Sequence, residues 1–227
     1  MLLQKLLPAD GGIIYTETDL TKLFPEPLNM ISAAFFVAMA VYWIFKLKGF
    51  SPKHTLLSIA SYILLIGSIG GTIYHGFRMY SFFILMDWLP ILILITLLTA
   101  YFWSKVIGSR LYTLIILIVI VAVEYVAYHL LSSTNINLAN NVNYAMLVLS
   151  AILPLALFLE RTKFKDAKWV LAASLFFGVA LFFRISDSWM ILNSGTHFLW
   201  HTFGMLATQS IFMYLYKINQ RQIKMRS

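Results

Sequence analysis

The chain of 227 residues contains no cysteine, which removes disulfides and thiolate metal sites and leaves His, Asp and Glu as its strong ligands. Charge is scarce as well. Only 11% of residues are charged and 60% are hydrophobic, where a soluble domain carries about 25% and about 45–50%. A water-soluble enzyme, a disordered tail and a nucleic-acid module are excluded by that balance. The opening MLLQKLLPADGG has no continuous apolar core, so a cleavable signal is not expected. Its Leu2, Leu3, Leu6 and Leu7 suit a short interfacial turn instead. Runs such as LYTLIILIVIVAV lack the alternation of a membrane barrel. No matching segments recur, which weighs against an inverted-repeat transporter. No span carries the mid-membrane lysine that a retinal Schiff base needs.

What the sequence does have is long apolar runs. A helical span takes ~20 residues, and the chain divides into seven such runs: 28–46, 55–76, 80–103, 110–131, 142–160, 167–185 and 194–216. The second, fourth and seventh are sharply bounded, whereas Arg184 and Asp187 blur the end of the sixth. The expected fold is therefore all-α and integral to a membrane. Residues 1–27 form an external segment, 28–216 the seven-helix domain and 217–227 a basic tail. Thirteen lysines and arginines fall on one side of this topology, from Lys46 to Arg226. Four fall on the other: Lys5, Lys22, Arg78 and Arg184. By the positive-inside rule the N-terminus faces outside or a lumen and the C-terminus the cytoplasm. The net charge of +8 is mostly a topology signal.

Ionisable residues inside a membrane are costly and mark function by default. Here they are His75, Asp87, Glu124, His129, His197 and His201, with Arg184 and Asp187 near a boundary. The topology brings His75 at the end of the second span, Asp87 early in the third and His197 with His201 early in the seventh to one depth. His197 and His201 are four residues apart, so on a helix both imidazoles share a face, one turn apart. With His75 they make three neutral ligands and an open fourth position, the pattern of a catalytic zinc site. Imidazole and carboxylate also suit iron or manganese. Asp87 is placed to orient or deprotonate a water, beside a bend expected at Pro90. The alternative is three histidines that merely hydrogen-bond between helices.

The segments YHGFRMYSFFILMDWLPI and GTHFLWHTFGM together resemble the alkaline ceramidase family, within a superfamily that includes adiponectin-receptor-like proteins. The family pattern is Ser-x-x-x-His in the second span, Asp in the third and His-x-x-x-His in the seventh. The resemblance implies a seven-span, Zn²⁺-dependent amidase that splits ceramide into a fatty acid and a sphingoid base. His75, His197 and His201 become the zinc ligands and Asp87 the water-holding acid. It extends to IYTETDLTKLFPEPLNMIS, where it implies a Ca²⁺ site at Glu17, Asp19 and Glu26 with Asn29 beside it. Hard oxygen ligands suit that ion, although Pro27 also lets Glu26 cap the first span. Arg184 and Asp187 resemble a family Arg-x-x-Asp element that would steady the metal ligands, or they form an ordinary interfacial salt bridge.

Two positions depart from the pattern. Gly71 stands where the family has serine, with the hydroxyl of Thr72 one residue later, and the spacing from His75 to Asp87 is one residue longer. Thr72 is then the candidate oxyanion donor. Gly67-x-x-x-Gly71 alternatively serves close helix packing. Glu124 is expected to be satisfied by Tyr125 or His129, with binding of a substrate amine the other option. His54 is expected to be solvated. The leading expectation is a lipid amide hydrolase taking ceramide or a related N-acyl lipid from the bilayer. A metal-stapled receptor or sensor with little catalysis is the alternative. The membrane would be the inner membrane of a bacterium or the ER/Golgi of a eukaryote.

Overall fold

The computed structural model describes residues 7–225. Seven α-helices dominate: α1 (Pro27–Leu47), α2 (Thr55–Phe77), α3 (Ser81–Ile107), α4 (Arg110–Ser132), α5 (Ile136–Arg161), α6 (Ala167–Ile185) and α7 (His197–Lys224). Short 3-10 turns occupy Pro52–His54 and Ser186–Trp189. The all-α expectation holds, and each apolar run lies on one helix. Leu2, Leu3, Lys5, Leu6 and Arg226, read above as an interfacial turn and as topology charges, lie outside the described residues.

Local chemistry sets the ends of these helices. Pro27 opens α1, where its missing N–H costs nothing. Lys48 closes α1 in the left-handed region, φ 57°. The Ser109 hydroxyl and the Asn135 side chain accept backbone N–H groups at the starts of α4 and α5. Pro90 and Pro154 lie inside α3 and α5, each of which continues past its proline.

Among the described residues six helices, α1 to α6, are long and apolar enough to cross a membrane. The seventh apolar run expected from the sequence falls on α7, which is less apolar than the other six. It is 28 residues long, but His197, His201, Thr202, Thr208, Gln209 and Ser210 dilute its apolar character. Much of that polarity faces protein. His197, His201 and Ser210 are buried, and Gln209 accepts the Trp43 indole N–H at 2.7 Å.

Two compact units divide the chain: Met1–Ile91 with Lys168–Ser227, and Leu92–Ala167. In the first, α1 packs along both α2 and α7. His54 belongs to this unit and corrects the solvated expectation: it is buried and stacks on Tyr216 with ring centroids 5.0 Å apart. In the second unit α4 and α5 pack together, Phe102 meets Phe158 at 5.4 Å, and Arg161 donates to the Val106 carbonyl. Glu124 is buried here with Oε1 lacking a hydrogen-bond partner. Tyr125 and His129 stack on one another, so neither satisfies that oxygen as expected.

Candidate metal centre

The site is built from the ends of α2 and α7. His75 lies in the last turn of α2, fully buried, while His197 and His201 lie in the first two turns of α7, 2% and 6% exposed. One ligand atom from each lies within 4.8 Å of the others. Among the described residues this is the one group of three or more such side chains. Ring centroids are 4.7 Å apart for His197–His201, 4.8 Å for His75–His201 and 5.5 Å for His75–His197. Three nitrogens on one tetrahedral zinc at ~2.0–2.1 Å would lie about 3.3 Å apart, so small ring movements close the set.

Two of the histidine rings are fixed from behind. His75 Nδ1 meets Glu26 Oε2 at 2.6 Å, which leaves Nε2 buried and without a hydrogen-bond partner. His201 Nδ1 lies 3.2 Å from the Asn29 carbonyl and 3.0 Å from the Ser32 hydroxyl. A proton on that nitrogen leaves Nε2 with a free lone pair. His197 is oriented through its backbone, whose N–H donates to Asp187 Oδ1 at 2.9 Å, and its Nδ1 is buried and unpartnered. Two orphaned imidazole nitrogens in a water-poor interior are costly unless something accepts their lone pairs. A carboxylate or carbonyl behind the opposite ring nitrogen is how proteins orient metal-binding histidines. The residues present fit a metal ion.

Asp87 reaches the same region along α3. The α2 face at Gly67, Gly70 and Gly71 lies against Met86, Asp87 and Pro90, and a Cβ at any of the three glycines would clash. At Gly67 it would meet the Pro90 ring at 2.6 Å. At Gly71 it would occupy the place of Asp87 Oδ1. The packing role of Gly67 and Gly71 is therefore realised. Thr72 Oγ1 donates to its own helix at the Ser68 carbonyl, 2.7 Å. The link between α2 and α3 is residues 78–80, with Arg78 left-handed at φ 53°.

The acidic N-terminal residues are spent on donors within the chain. Glu17 accepts the backbone N–H groups of Leu28 and Asn29 at 2.6 and 2.9 Å and so caps α1. Burial pushes its carboxyl above the ordinary carboxylate range, against the pull of those two N–H groups. Asp19 accepts from the Thr21 N–H and hydroxyl and pairs with Lys22 at 3.2 Å. Glu26, fully buried, accepts from the Thr18 hydroxyl, Asn29 Nδ2 and Arg78 Nη1 besides meeting His75. Asn29 therefore joins Glu26 to His201. Among the described residues, Glu17, Asp19 and Glu26 do not place one oxygen each within 4.8 Å of one another.

Asp187 and Arg184 both contact α7. The Asp187 carboxylate accepts the N–H groups of Thr16, Thr196 and His197, an N-terminal cap supplied from the preceding turn. The Arg184 guanidinium lies over the Trp200 ring at 5.2 Å. Sequence reasoning missed four contributors: Asp10, Tyr15, Ser32 and Tyr74. Tyr15 stacks on His197 with ring centroids 3.9 Å apart. Arg78 was read only as a topology charge, yet it is buried between Asp10 and Glu26. Its signal was present, since an arginine three residues beyond a candidate ligand at the end of an apolar run needs a partner.

No protein-family model and no curated protein matches the chain.

Proposed function

We propose that this protein is a metal-dependent hydrolase of a lipid amide, ceramidase-like, with zinc held by His75, His197 and His201. The observation that carries the reading is the pair of buried, unpartnered nitrogens, His75 Nε2 and His197 Nδ1, in a cluster where the His75 and His201 rings are fixed from behind. When bound, such an ion would polarise a carbonyl and lower the pKa of its water to about 7.

The chain's own residues supply the rest. Asp87, on the α3 face against Gly71, takes the proton of the attacking water and passes it to the leaving nitrogen. The C–N bond breaks, a C–O bond forms, and the products are a carboxylic acid and an amine. Tyr15, stacked on His197, shields the ligands from bulk water. The Thr72 hydroxyl is the candidate donor to the developing oxyanion once it leaves the Ser68 carbonyl. Arg184 and Asp187 hold the α7 end of the site, and Asn29 couples its two halves. The six apolar helices support a substrate drawn from the bilayer, an N-acyl lipid such as ceramide. The charge bias supports an outward or lumenal site.

The test is release of free fatty acid from ceramide and other N-acyl lipids by the purified protein in detergent or nanodiscs. Activity is expected to vanish in His75→Ala, His197→Ala and Asp87→Ala, and on chelation, and to return with Zn²⁺. Undiminished turnover after metal removal would overturn the reading. Stoichiometric metal without turnover on any N-acyl lipid would favour the metal-stapled sensor.

A further inference from the structure

We propose that Arg78 is the resident counter-cation of the buried Asp10–Glu26 carboxylate pair, fastening residues 10–15, whose Tyr15 ring lies against His75 and His197, and fixing His75 through Glu26, so that this end of the protein needs no calcium ion. The guanidinium is 1% exposed. Its Nε and Nη2 form a fork on Asp10 at 2.8 and 3.2 Å, Nη2 also donates to the Ile13 carbonyl at 2.9 Å, and Nη1 donates to Glu26. Tyr74 lies under it at 4.7 Å and Tyr15 at 5.9 Å. The segment it holds is shaped to come this close. A Cβ at Gly12 would meet the Tyr74 hydroxyl at 2.6 Å and Arg78 Nη2 at 3.0 Å.

The chemistry around Glu26 is that of a guanidinium site. Calcium requires six to eight oxygen ligands. Glu26 instead faces Thr18, Asn29, His75 and Arg78, each of which presents an N–H or O–H. Glu17 and Asp19 are likewise turned to N–H and O–H donors. A fixed, planar cation balances two carboxylates that would otherwise be buried and unpaired. Arg78 is thus a positioning residue: it acts on the metal centre through Glu26 and His75, and on its cover through Asp10 and Ile13.

The inference rests on the metal centre and not on amide hydrolysis, so its test reads metal binding alone. Full-length protein in detergent would be titrated with Co²⁺, following visible absorption and the melting temperature, in 1 mM Ca²⁺ and in a calcium chelator. Wild type is expected to show the same Co²⁺ affinity and melting temperature in both. Arg78→Met should weaken Co²⁺ binding by about 10–100-fold, the usual cost of losing a group behind a ligand, and alter the absorption band. Arg78→Lys should recover part of the loss, since a point charge replaces the fork incompletely. If Arg78→Met fails to fold, Asp10→Asn keeps Arg78 on Glu26 and should still weaken Co²⁺ binding several-fold. A rise in affinity or melting temperature of the wild type with Ca²⁺ would overturn the proposal, as would unchanged Co²⁺ binding in Arg78→Met or Asp10→Asn. A wild type that binds no Co²⁺ would overturn it together with the metal reading.

Discussion

The Asp187 carboxylate accepts the backbone N–H of His197 at 2.9 Å, so the helix that carries two of the three histidines begins at an acid. The same group accepts the N–H of Thr196 and of Thr16. Asp187→Ala would leave three donors without that partner and is expected to cost about 2–4 kcal/mol of stability. Asp187→Asn keeps an acceptor oxygen and should cost less than half as much. Thermal or denaturant unfolding of the purified variants measures both, and equal losses would show that the negative charge, not the cap, carries the effect.

Glycine on α2 permits the approach of α3. Gly70→Ala would drive a methyl into Met86 and Gly67→Ala into the rigid Pro90 ring, so each is expected to destabilise by about 1–3 kcal/mol through overpacking. Gly71→Ser would instead displace the Asp87 carboxyl, a movable side chain. Its stability should change less, while hydrolysis falls and Co²⁺ affinity stays within a few-fold of wild type. That split between turnover and metal binding is the measurement.

Removing the metal should be felt by the fold as well as by the chemistry. A ligand that binds only the folded state stabilises by mass action, about 2.7 kcal/mol at a hundredfold excess over its dissociation constant. Chelation is therefore expected to lower the melting temperature of the wild type, and His75→Ala, which already lacks one ligand, should respond little. Equal shifts in the two proteins would place the responding ion elsewhere.

The Tyr15 ring, 3.9 Å from the His197 ring, gives a graded test of the cover over the site. Tyr15→Phe keeps the stack and should hold metal nearly as well as wild type. Tyr15→Ala loses an aromatic pair of about 0.5–1.5 kcal/mol and should speed metal loss to a competing chelator. Dissociation rates of Co²⁺ distinguish the two.

The helices and the histidine cluster were legible because both are local signals. Apolar runs read as spans without knowledge of their neighbours, and the four-residue step from His197 to His201 places both rings on one face. His75 joined them through topology alone. The rest of the site was not legible because it is made at long range. Thr16 reaches Asp187 across 171 positions and Arg78 reaches Asp10 across 68, and no periodicity encodes either pair. Composition misled at His54, because a polar residue turned toward protein looks the same in sequence as one turned toward water. The family resemblance marked Glu17, Asp19 and Glu26 as cation ligands but said nothing of the donors facing them, which come from Arg78, Thr18, Thr21 and the first turn of α1.

The histidines are divided between position 75 and positions 197 and 201, with α3 to α6 in between. During synthesis the imidazole at position 75 is therefore made 122 positions before that of His197. A metal ion could meet all three imidazoles only once synthesis has passed His201. A nascent product arrested before residue 197 would carry a half-built socket and no means of holding an ion.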